Sequence, residues 1–300
     1  MNKSYNVVTK KSDIGNVISS LHRESELALG IIDSDQKDDL ERMIASYSQF
    51  DKYKNNIYVV TTANRLETES LHLRFSDATF IVFDFTPTLA QEINALADTC
   101  KSTFFIFQKT DCKIANFHWP PLLKIMNSSS VPAVLTPLVF NMSKELIPTI
   151  RIPKLTDNEI DPISNLPGYG TEATLYPFLG LGLYNRALFQ RIRGYDEEIY
   201  GAYWQSLDFG IRCWLYGHPV LSVNEMAVIF DKKNSIIEDR TENIGIGRFY
   251  AKALGVTVKS NGRAQIKRPP KSDMKYLMEE VKSRIGLYKL DFETLCQRWK

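Results

Sequence analysis

Neither sign of charge is in excess in this sequence, and the balance excludes one large class of function. The 300 residues include 37 Lys and Arg against 35 Asp and Glu, a formal net charge of +2. Proteins that bind nucleic acid through its phosphates need a concentrated basic surface. We therefore expect no nucleic-acid partner. With 44% apolar and 24% charged residues, the composition is that of an ordinary globular chain.

Long apolar runs are also missing. A helix that crosses a bilayer needs about 20 consecutive apolar residues, and the longest runs here, such as the one at 79–83, are strand-sized. The first eleven residues are polar and contain no apolar segment of signal-peptide length. These absences predict a cytoplasmic protein.

Cysteine and histidine are scarce, which argues against a zinc site. The four cysteines, at 100, 112, 213 and 296, show no paired metal-ligand spacing and lie mostly in apolar runs, so we expect buried reduced thiols. The four histidines, at 22, 72, 118 and 218, form no zinc-binding motif.

Short β-branched or aromatic runs alternate with helical stretches over the first 115 residues. The strand candidates are 5–9, 27–32, 57–61, 79–83 and 103–107. The helix candidates between them are 13–22, 38–49, 67–75 and 88–99. Such alternation is typical of βαβ units around a mostly parallel sheet, with the ligand crevice at the carboxyl ends of the strands. The predicted fold class is α/β.

The second half is organised differently. Prolines concentrate between 120 and 177, which predicts loops that carry recognition residues. A strand at 178–184, a helix at 186–191 and a helix at 207–216, ended by a glycine, follow. Residues 241–300 predict a C-terminal helical extension with an amphipathic helix at 274–285, which could dock on a membrane surface, on a partner protein or on its own domain.

One segment of the second half carries a specific pattern. Residues 180–189 read GLGLYNRALF, residues 193–198 read RGYDEE, and residues 207–217 read LDFGIRCWLYG. This series resembles the C-terminal half of GT-A glycosyltransferases, particularly the family-2-like, galactosyltransferase and polypeptide N-acetylgalactosaminyltransferase group. The resemblance covers roughly residues 27–235. It implies a GT-A domain over 1–240, with a nucleotide-binding half at 27–115 and an acceptor half at 116–240.

The resemblance extends to the metal-binding motif of the family. An Asn that opens a helix precedes the Asp-x-Asp motif by about fifteen residues in that family, and here Asn94 leads to Lys109, Thr110 and Asp111. The Asp-x-Asp pair implies Mg²⁺ or Mn²⁺ held against the diphosphate of a nucleotide sugar. Lysine replaces the first acid, so Lys109 could neutralise the diphosphate itself and make binding metal-independent. A solvated lysine at a strand end is the alternative.

Two further positions depart from the family pattern. The Glu-Asp pair that supplies the base falls on Gln205 and Ser206, and an amide cannot take a proton near neutral pH. Asp208 is then a candidate for catalysis, with a helix-terminal structural acid as the alternative. Some members also carry a metal-ligand histidine after the next strand, where this chain offers Asp231, either as a substitute ligand or as a surface acid.

The nucleotide end of the site allows two registers. In the first, the strand at 27–32 is the first family strand, Asp33 lies at its tip, Thr62 lies at the tip of the next, and residues 1–26 are an added unit. In the second, the strand at 5–9 comes first. Asp33 lies at the crevice edge in both, so we predict that it binds the nucleotide, although it could instead cap the following helix.

Aromatic residues are dense on the proposed acceptor side. Sugar rings pack their C–H faces on aromatic rings, although such rings are also good core material. The residues predicted to contact the acceptor are Tyr195, Asp196, Glu197, Tyr203 and Trp204.

The sequence thus predicts a glycosyltransferase that moves a sugar from a nucleotide-sugar donor, with UDP as the expected nucleotide, to a carbohydrate or glycoconjugate, as in polysaccharide biosynthesis. The alternative is a catalytically degenerate GT-A relative that acts as a sugar-binding or partner-binding scaffold, because three charges of the mechanism are replaced.

Overall fold

The computed structural model describes residues 4–9, 26–33, 39–47, 56–230 and 232–299. The predicted helix at 13–22 lies outside them. The described strands are β1 (Tyr5–Val8), β2 (Leu27–Ile32), β3 (Ile57–Thr62), β4 (Ala78–Phe83), β5 (Phe104–Lys109), β6 (Lys113–Phe117), β7 (Val134–Phe140), β8 (Ile150–Ile152), β9 (Leu155–Thr156), β10 (Glu159–Ile160), β11 (Ile163–Asn165), β12 (Glu172–Ala173), β13 (Gly182–Asn185), β14 (Val220–Ile229), β15 (Val256–Val258) and β16 (Ala264–Ile266).

Helices connect these strands and cover the sheet. The described α-helices are α1 (Asp39–Tyr47), α2 (Ala63–Thr68), α3 (Leu71–Arg74), α4 (Leu89–Thr99), α5 (Trp119–Met126), α6 (Arg186–Ile192), α7 (Ala202–Leu215), α8 (Ile246–Leu254), α9 (Met274–Tyr276) and α10 (Phe292–Arg298). Three irregular turns add to them, a 3₁₀ turn at Phe178–Gly180, a π turn at Leu277–Val281 and a 3₁₀ stretch at Lys282–Leu287.

Ten strands form one mixed, mostly parallel sheet in the order β1-β4-β3-β2-β5-β13-β7-β14-β12, with β6 on β14. Strands β4, β3, β2 and β5 are parallel neighbours, β13 runs antiparallel between β5 and β7, and β14 is parallel to β7. The carboxyl ends of β2, β3, β5, β7 and β14 therefore share one edge. The predicted α/β class and mostly parallel sheet are confirmed.

The added N-terminal strand lies at the border of the sheet. β1 pairs antiparallel with β4, whereas β2 is fully buried between β3 and β5. β2 is thus the first strand of the parallel series, which favours the first of the two nucleotide registers.

Two of the predicted helices differ from the structure in their extent. The stretch predicted as one helix at 67–75 is split into α2 and α3, because Ser70 between them adopts a left-handed conformation with φ 49°. α7 begins five residues earlier than predicted, after Gly201 with φ 93°.

The C-terminal residues 241–300 share the main core. Phe249, Leu277 and Phe292 belong to the same buried cluster as the helices α4 and α7. The amphipathic helix predicted at 274–285 is wrong in type, because it is α-helical only over Met274–Tyr276 and continues as π and 3₁₀ turns. Its apolar residues pack on the domain, against α8. In the described part of the chain, no helix has the length and apolar content to cross a membrane.

Candidate functional site

Four of the predicted nucleotide-side residues lie at or just beyond strand ends on the carboxyl edge of the sheet: Asp33, Thr62, Lys109 and Asp111. Ile32 at the end of β2 pairs with Lys109 on β5 and with Val60 on β3, so the tips of these three strands are neighbours. The amide of Thr110 donates to the Ile32 carbonyl at 3.0 Å and ties the β5 end to β2. This edge is where a doubly wound sheet binds ligands.

Asp33 does not face the crevice as a free acid. Its side chain is fully buried, and its Oδ2 accepts hydrogen bonds from Thr61 Oγ1 at 3.1 Å and from Arg65 Nε at 3.0 Å. Arg65 also pairs with Glu69. The Asp33 carboxylate, predicted to contact the nucleotide, is thus engaged by Thr61 and Arg65 in this structure. Its contacts position Arg65, while Thr62 begins the adjoining helix α2 without a side-chain cap.

Lys109 lies near an acid that sequence reasoning missed. Glu92, in the first turn of α4, is held in a poorly solvated site, and burial raises its pKa to about 7 in spite of the nearby positive charge of Lys109. Nothing in the sequence around Glu92 indicates that its carboxyl group is poorly solvated, because the burial depends on tertiary packing.

Asp111 is paired with a lysine from the segment that follows β14. Its Oδ2 lies 2.5 Å from Lys233 Nζ, and its Oδ1 is buried and has no hydrogen-bond partner among the residues that the structure describes. The neighbouring Lys232 makes the same kind of contact, since its Nζ lies 2.7 Å from Oδ1 of Asp39, the first residue of α1. Sequence reasoning missed both lysines; the Lys-Lys pair just beyond β14 was the available signal.

Asn94 holds the turn that precedes α7 through three hydrogen bonds. Its Nδ2 donates to the Tyr195 carbonyl at 2.9 Å and to Glu197 Oε1 at 2.8 Å, and its Oδ1 accepts from the Tyr195 amide at 2.9 Å. Gly194 has φ 56° and no room for a Cβ against Asn94 and Phe189, so glycine is required there. Asn94, predicted to bind the nucleotide-sugar donor, thus lies against the turn at Tyr195–Glu197.

Asp196 and Asp208 share one buried lysine. Lys252 Nζ lies 2.5 Å from Asp196 Oδ2 and 2.7 Å from Asp208 Oδ1. Arg212 pairs with the other oxygen of Asp208 at 2.7 Å, and Arg248 pairs with Asp196 at 2.9 Å. Burial by itself would raise the pKa of Asp196, but the charges of Lys252 and Arg248 hold it well below its usual range.

Asp208, the residue predicted to take part in catalysis, lies inside the protein. It is 2% exposed, and both carboxylate oxygens are engaged by cations. Arg212 in turn donates to the carbonyls of Ile192 and Gly194, each at 2.7 Å. The motif acid and arginine therefore fasten α7 to the preceding turn, and the catalytic role of Asp208 stays a prediction.

Gln205 is likewise occupied inside the protein. It is 1% exposed, its Nε2 donates to the Ile199 carbonyl at 2.7 Å, and its Oε1 accepts from the Ala90 amide at 3.1 Å. Ala90 is in the first turn of α4, whose amides have no partner within the helix. Gln205 thus caps α4, and the catalytic role predicted for it stays a prediction.

Three aromatic residues predicted to contact the acceptor are core residues. Tyr195 stacks on Phe209 with ring centroids 4.5 Å apart and is 2% exposed. Tyr203 and Trp204 are 3% and 5% exposed, because they belong to the first turn of α7 and not to a loop before it. The indole of Trp204 donates to the Thr241 carbonyl at 2.9 Å, which holds the segment after β14 against the domain.

The described side chains bring together no set of ligands for a divalent cation. They contain no group of three or more His, Cys, Asp or Glu that could hold a metal ion. Lys109 stands in place of the first acid, and the second acid, Asp111, already has an ammonium on one oxygen. Asp231, predicted as a metal ligand together with Asp111, lies outside the described residues.

Comparison with known proteins shows a solved structure whose fold is similar over most of this chain. The sequence matches no family model and no curated protein. The chain is similar to the crystal structure of GalNAc-T7 with UDP, GalNAc and Mn²⁺, with a TM-score of 0.65 and 14% identity over 92% of this chain and 57% of that chain. It thus spans little more than half of that protein. At this identity the likeness shows the fold, and the chain has the GT-A fold that the motifs implied.

Two other solved structures match less of the chain. The mannosyltransferase PcManGT from Pyrobaculum calidifontis, in complex with GDP-Man and Mn²⁺, has a TM-score of 0.46 and 8% identity over 69% of this chain and 57% of that chain. S. aureus TarS has a TM-score of 0.47 and 14% identity over 68% of this chain and 36% of that chain.

Proposed function

We propose that this protein is a glycosyltransferase that uses a nucleotide-sugar donor, with UDP as the expected nucleotide, and a carbohydrate or glycoconjugate acceptor. One observation carries the proposal: the GT-A fold gathers Thr62, Lys109 and Asp111 at the carboxyl edge of its parallel strands. A diphosphate is an anionic ligand, and Lys109 supplies a point charge at that edge.

The reaction joins an acceptor hydroxyl oxygen to the anomeric carbon of the donor sugar. The bond from that carbon to the diphosphate oxygen breaks, the nucleoside diphosphate leaves, and the hydroxyl proton passes to a base. Lys109 would offset the charge on the leaving diphosphate, which is the interaction that grows in the transition state.

The acceptor would meet the exposed residues of the turn before α7. Glu197 is tied to Asn94 and still exposed, and the ring of Tyr200 is 46% exposed. Tyr195, Asp196, Tyr203 and Trp204 support this turn from beneath. We propose that the acceptor contacts are made by Glu197 and Tyr200.

A second candidate function is a catalytically degenerate GT-A scaffold that binds a sugar or a partner protein. The observation that favours it is the burial of Gln205 and Asp208, because both motif side chains are consumed by internal contacts.

The test is a calorimetric and thermal-shift screen of UDP, GDP, CDP and their sugars, followed by hydrolysis and transfer assays with the donor that binds. A ligand at 100 times its dissociation constant stabilises the folded state by about 2.7 kcal/mol. We expect Lys109→Ala to weaken binding at least tenfold, a loss of about 1.4 kcal/mol, and the exposed control Lys101→Ala to leave it unchanged.

The outcomes separate the candidates. Binding together with turnover supports the transferase. Binding without hydrolysis or transfer to any of a panel of sugars supports the scaffold. No binding by any nucleotide rejects the donor site at this edge.

A further inference from the structure

We propose that the ammonium groups of Lys232 and Lys233 take the place of a divalent cation in binding the donor diphosphate. This rests on the proposed function and concerns the same site. The evidence is in the partners of the two lysines, in the way their backbone is anchored and in their remaining exposure to solvent.

The two lysines reach the site because of strand pairing. Ile229 at the end of β14 pairs with Lys113, the first residue of β6, which directly follows the turn that carries Asp111. The residues after β14 therefore emerge beside the β5 tip. Lys233 meets Asp111 at 2.5 Å, on the only acid that the Asp-x-Asp slot retains.

The backbone around Lys233 is fixed on its far side. The Lys233 carbonyl accepts from the Met142 amide at 2.9 Å, and the Asn234 carbonyl accepts from Asn141 Nδ2 at 3.2 Å. Asn234 also accepts through its side-chain oxygen from Ser143 Oγ at 3.0 Å. The turn after β7 thus anchors the lysine pair, and anchoring lowers the entropy lost when a ligand orders the side chains.

Each lysine pairs with a carboxylate that is far more buried than itself. The side chains of Asp39 and Asp111 are 1% and 15% exposed, whereas those of Lys232 and Lys233 are 49% and 51% exposed. A buried carboxylate needs a cation or hydrogen bonds. The acids hold the ammonium groups at the edge, and the open sides of those groups are left for an anion.

This arrangement does what a metal ion does for a diphosphate, by a different means. A carboxylate-bound Mg²⁺ or Mn²⁺ presents positive charge to phosphate oxygens. Here Asp111 holds the ammonium of Lys233, Asp39 holds that of Lys232 together with the guanidinium of Arg42, and Lys109 ends β5. Since a lysine donates hydrogen bonds as well as charge, no metal is required to offset the phosphates.

The experiment measures binding of nucleoside diphosphate, nucleoside monophosphate and nucleoside by calorimetry, for the base that binds best, in EDTA and in Mn²⁺. For the unmodified protein we expect the same diphosphate affinity in both, and weaker binding of the diphosphate as ionic strength rises. An affinity that rises tenfold or more with Mn²⁺ would overturn the inference without any variant.

The variant Lys232→Ala/Lys233→Ala should weaken diphosphate binding in EDTA at least tenfold, while nucleoside binding stays within twofold. Lys233→Arg keeps the charge and should bind within threefold of the unmodified protein. The matched control Lys275→Ala/Lys282→Ala removes two exposed charges elsewhere and should change nothing. Melting temperatures identify any variant that has lost its fold.

The results also separate this inference from the proposed function. If the double variant binds diphosphate normally, or if binding needs Mn²⁺, the lysine pair is not the cation and the donor site stands. If neither the nucleoside nor the diphosphate binds the unmodified protein, both the donor site and the lysine pair are rejected.

Discussion

The two halves of the carboxyl edge use their charges in opposite ways. On the proposed acceptor side, Asp208 and Arg212 are each 2% exposed and bind one another inside the protein. On the proposed donor side, Lys232 and Lys233 remain about half exposed while the side chains of Asp39 and Asp111 are 1% and 15% exposed. Charged side chains therefore stabilise the fold on the first side, and ammonium groups stay in contact with solvent on the second.

The largest effect expected from this comparison is on the acceptor side. Asp208→Asn removes the negative charge that pairs with Lys252 and Arg212 in a buried site. We therefore expect a loss of about 3–5 kcal/mol in the free energy of unfolding. Urea denaturation measures it. Asp157→Asn, at an exposed turn with φ 49° that asparagine tolerates, should change stability by about 0.5 kcal/mol or less. A loss below 1 kcal/mol for Asp208→Asn would contradict the structural role.

The next largest effect comes from restoring an acid of the family pattern. Gln205→Glu loses the hydrogen bond to the Ile199 carbonyl and places a carboxyl group in a buried position. We expect a loss of about 2–4 kcal/mol at pH 8 and less at pH 5, where the carboxyl group is protonated. Gln190→Glu is the exposed control. A gain of hydrolysis or transfer activity by Gln205→Glu would show that this position faces the acceptor after all.

A smaller effect, of opposite sign, is expected at Glu92. Its pKa is about 7 in the folded protein against an ordinary value of 4.5, so folding favours the protonated form. The corresponding stability is present below pH 4.5 and is lost as the pH rises towards 7. Glu92→Gln should therefore be more stable than the unmodified protein by about 1–3 kcal/mol at pH 8 and similar to it at pH 4.5.

Denaturation curves at the two pH values check this prediction, with Glu67→Gln as the exposed control. Equal stability of Glu92→Gln and the unmodified protein at pH 8 would mean that Glu92 is well solvated.

The smallest effect on stability is expected on the donor side. Lys109→Ala should change the free energy of unfolding by about 0.5 kcal/mol or less, because no ion pair of the described residues depends on it. The unmodified protein and the variant are compared by urea denaturation. A loss above 2 kcal/mol would mean that Lys109 stabilises the fold, as Asp208 and Arg212 do. The two sides of the edge would then not differ in how they use their charges.

The fold followed from local patterns to a large extent. The strands at 27–32, 79–83 and 103–107 and the helix at 88–99 were predicted within two residues of their ends, because apolar periodicity and a Thr88 cap are short-range signals. The order of motifs also led to the GT-A fold. The split at Ser70 and the π and 3₁₀ turns after Tyr276 were not predictable, since packing overrides helical periodicity there.

The surroundings of the predicted site residues did not follow from the sequence, for a definite reason. Tyr203 and Trp204 have the composition of a sugar-binding rim, and only the extent of α7 shows that they are buried. In the sequence, a motif acid that contacts a substrate cannot be distinguished from one that pairs with a buried lysine or arginine. Lys252, which engages Asp196 and Asp208, follows them by more than forty residues, and Lys233 follows Asp111 by more than a hundred.

The sequence by itself determined an α/β chain with a strand tip at Lys109–Asp111 and the motifs of a GT-A acceptor half. Both are encoded in periodicity and spacing over a few turns of helix or a few strands. Only the tertiary structure decided which charged side chains form ion pairs inside the protein and which remain exposed. The reason is that burial and ion pairing depend on distances between residues far apart in the chain, which the sheet order fixes and the local pattern does not.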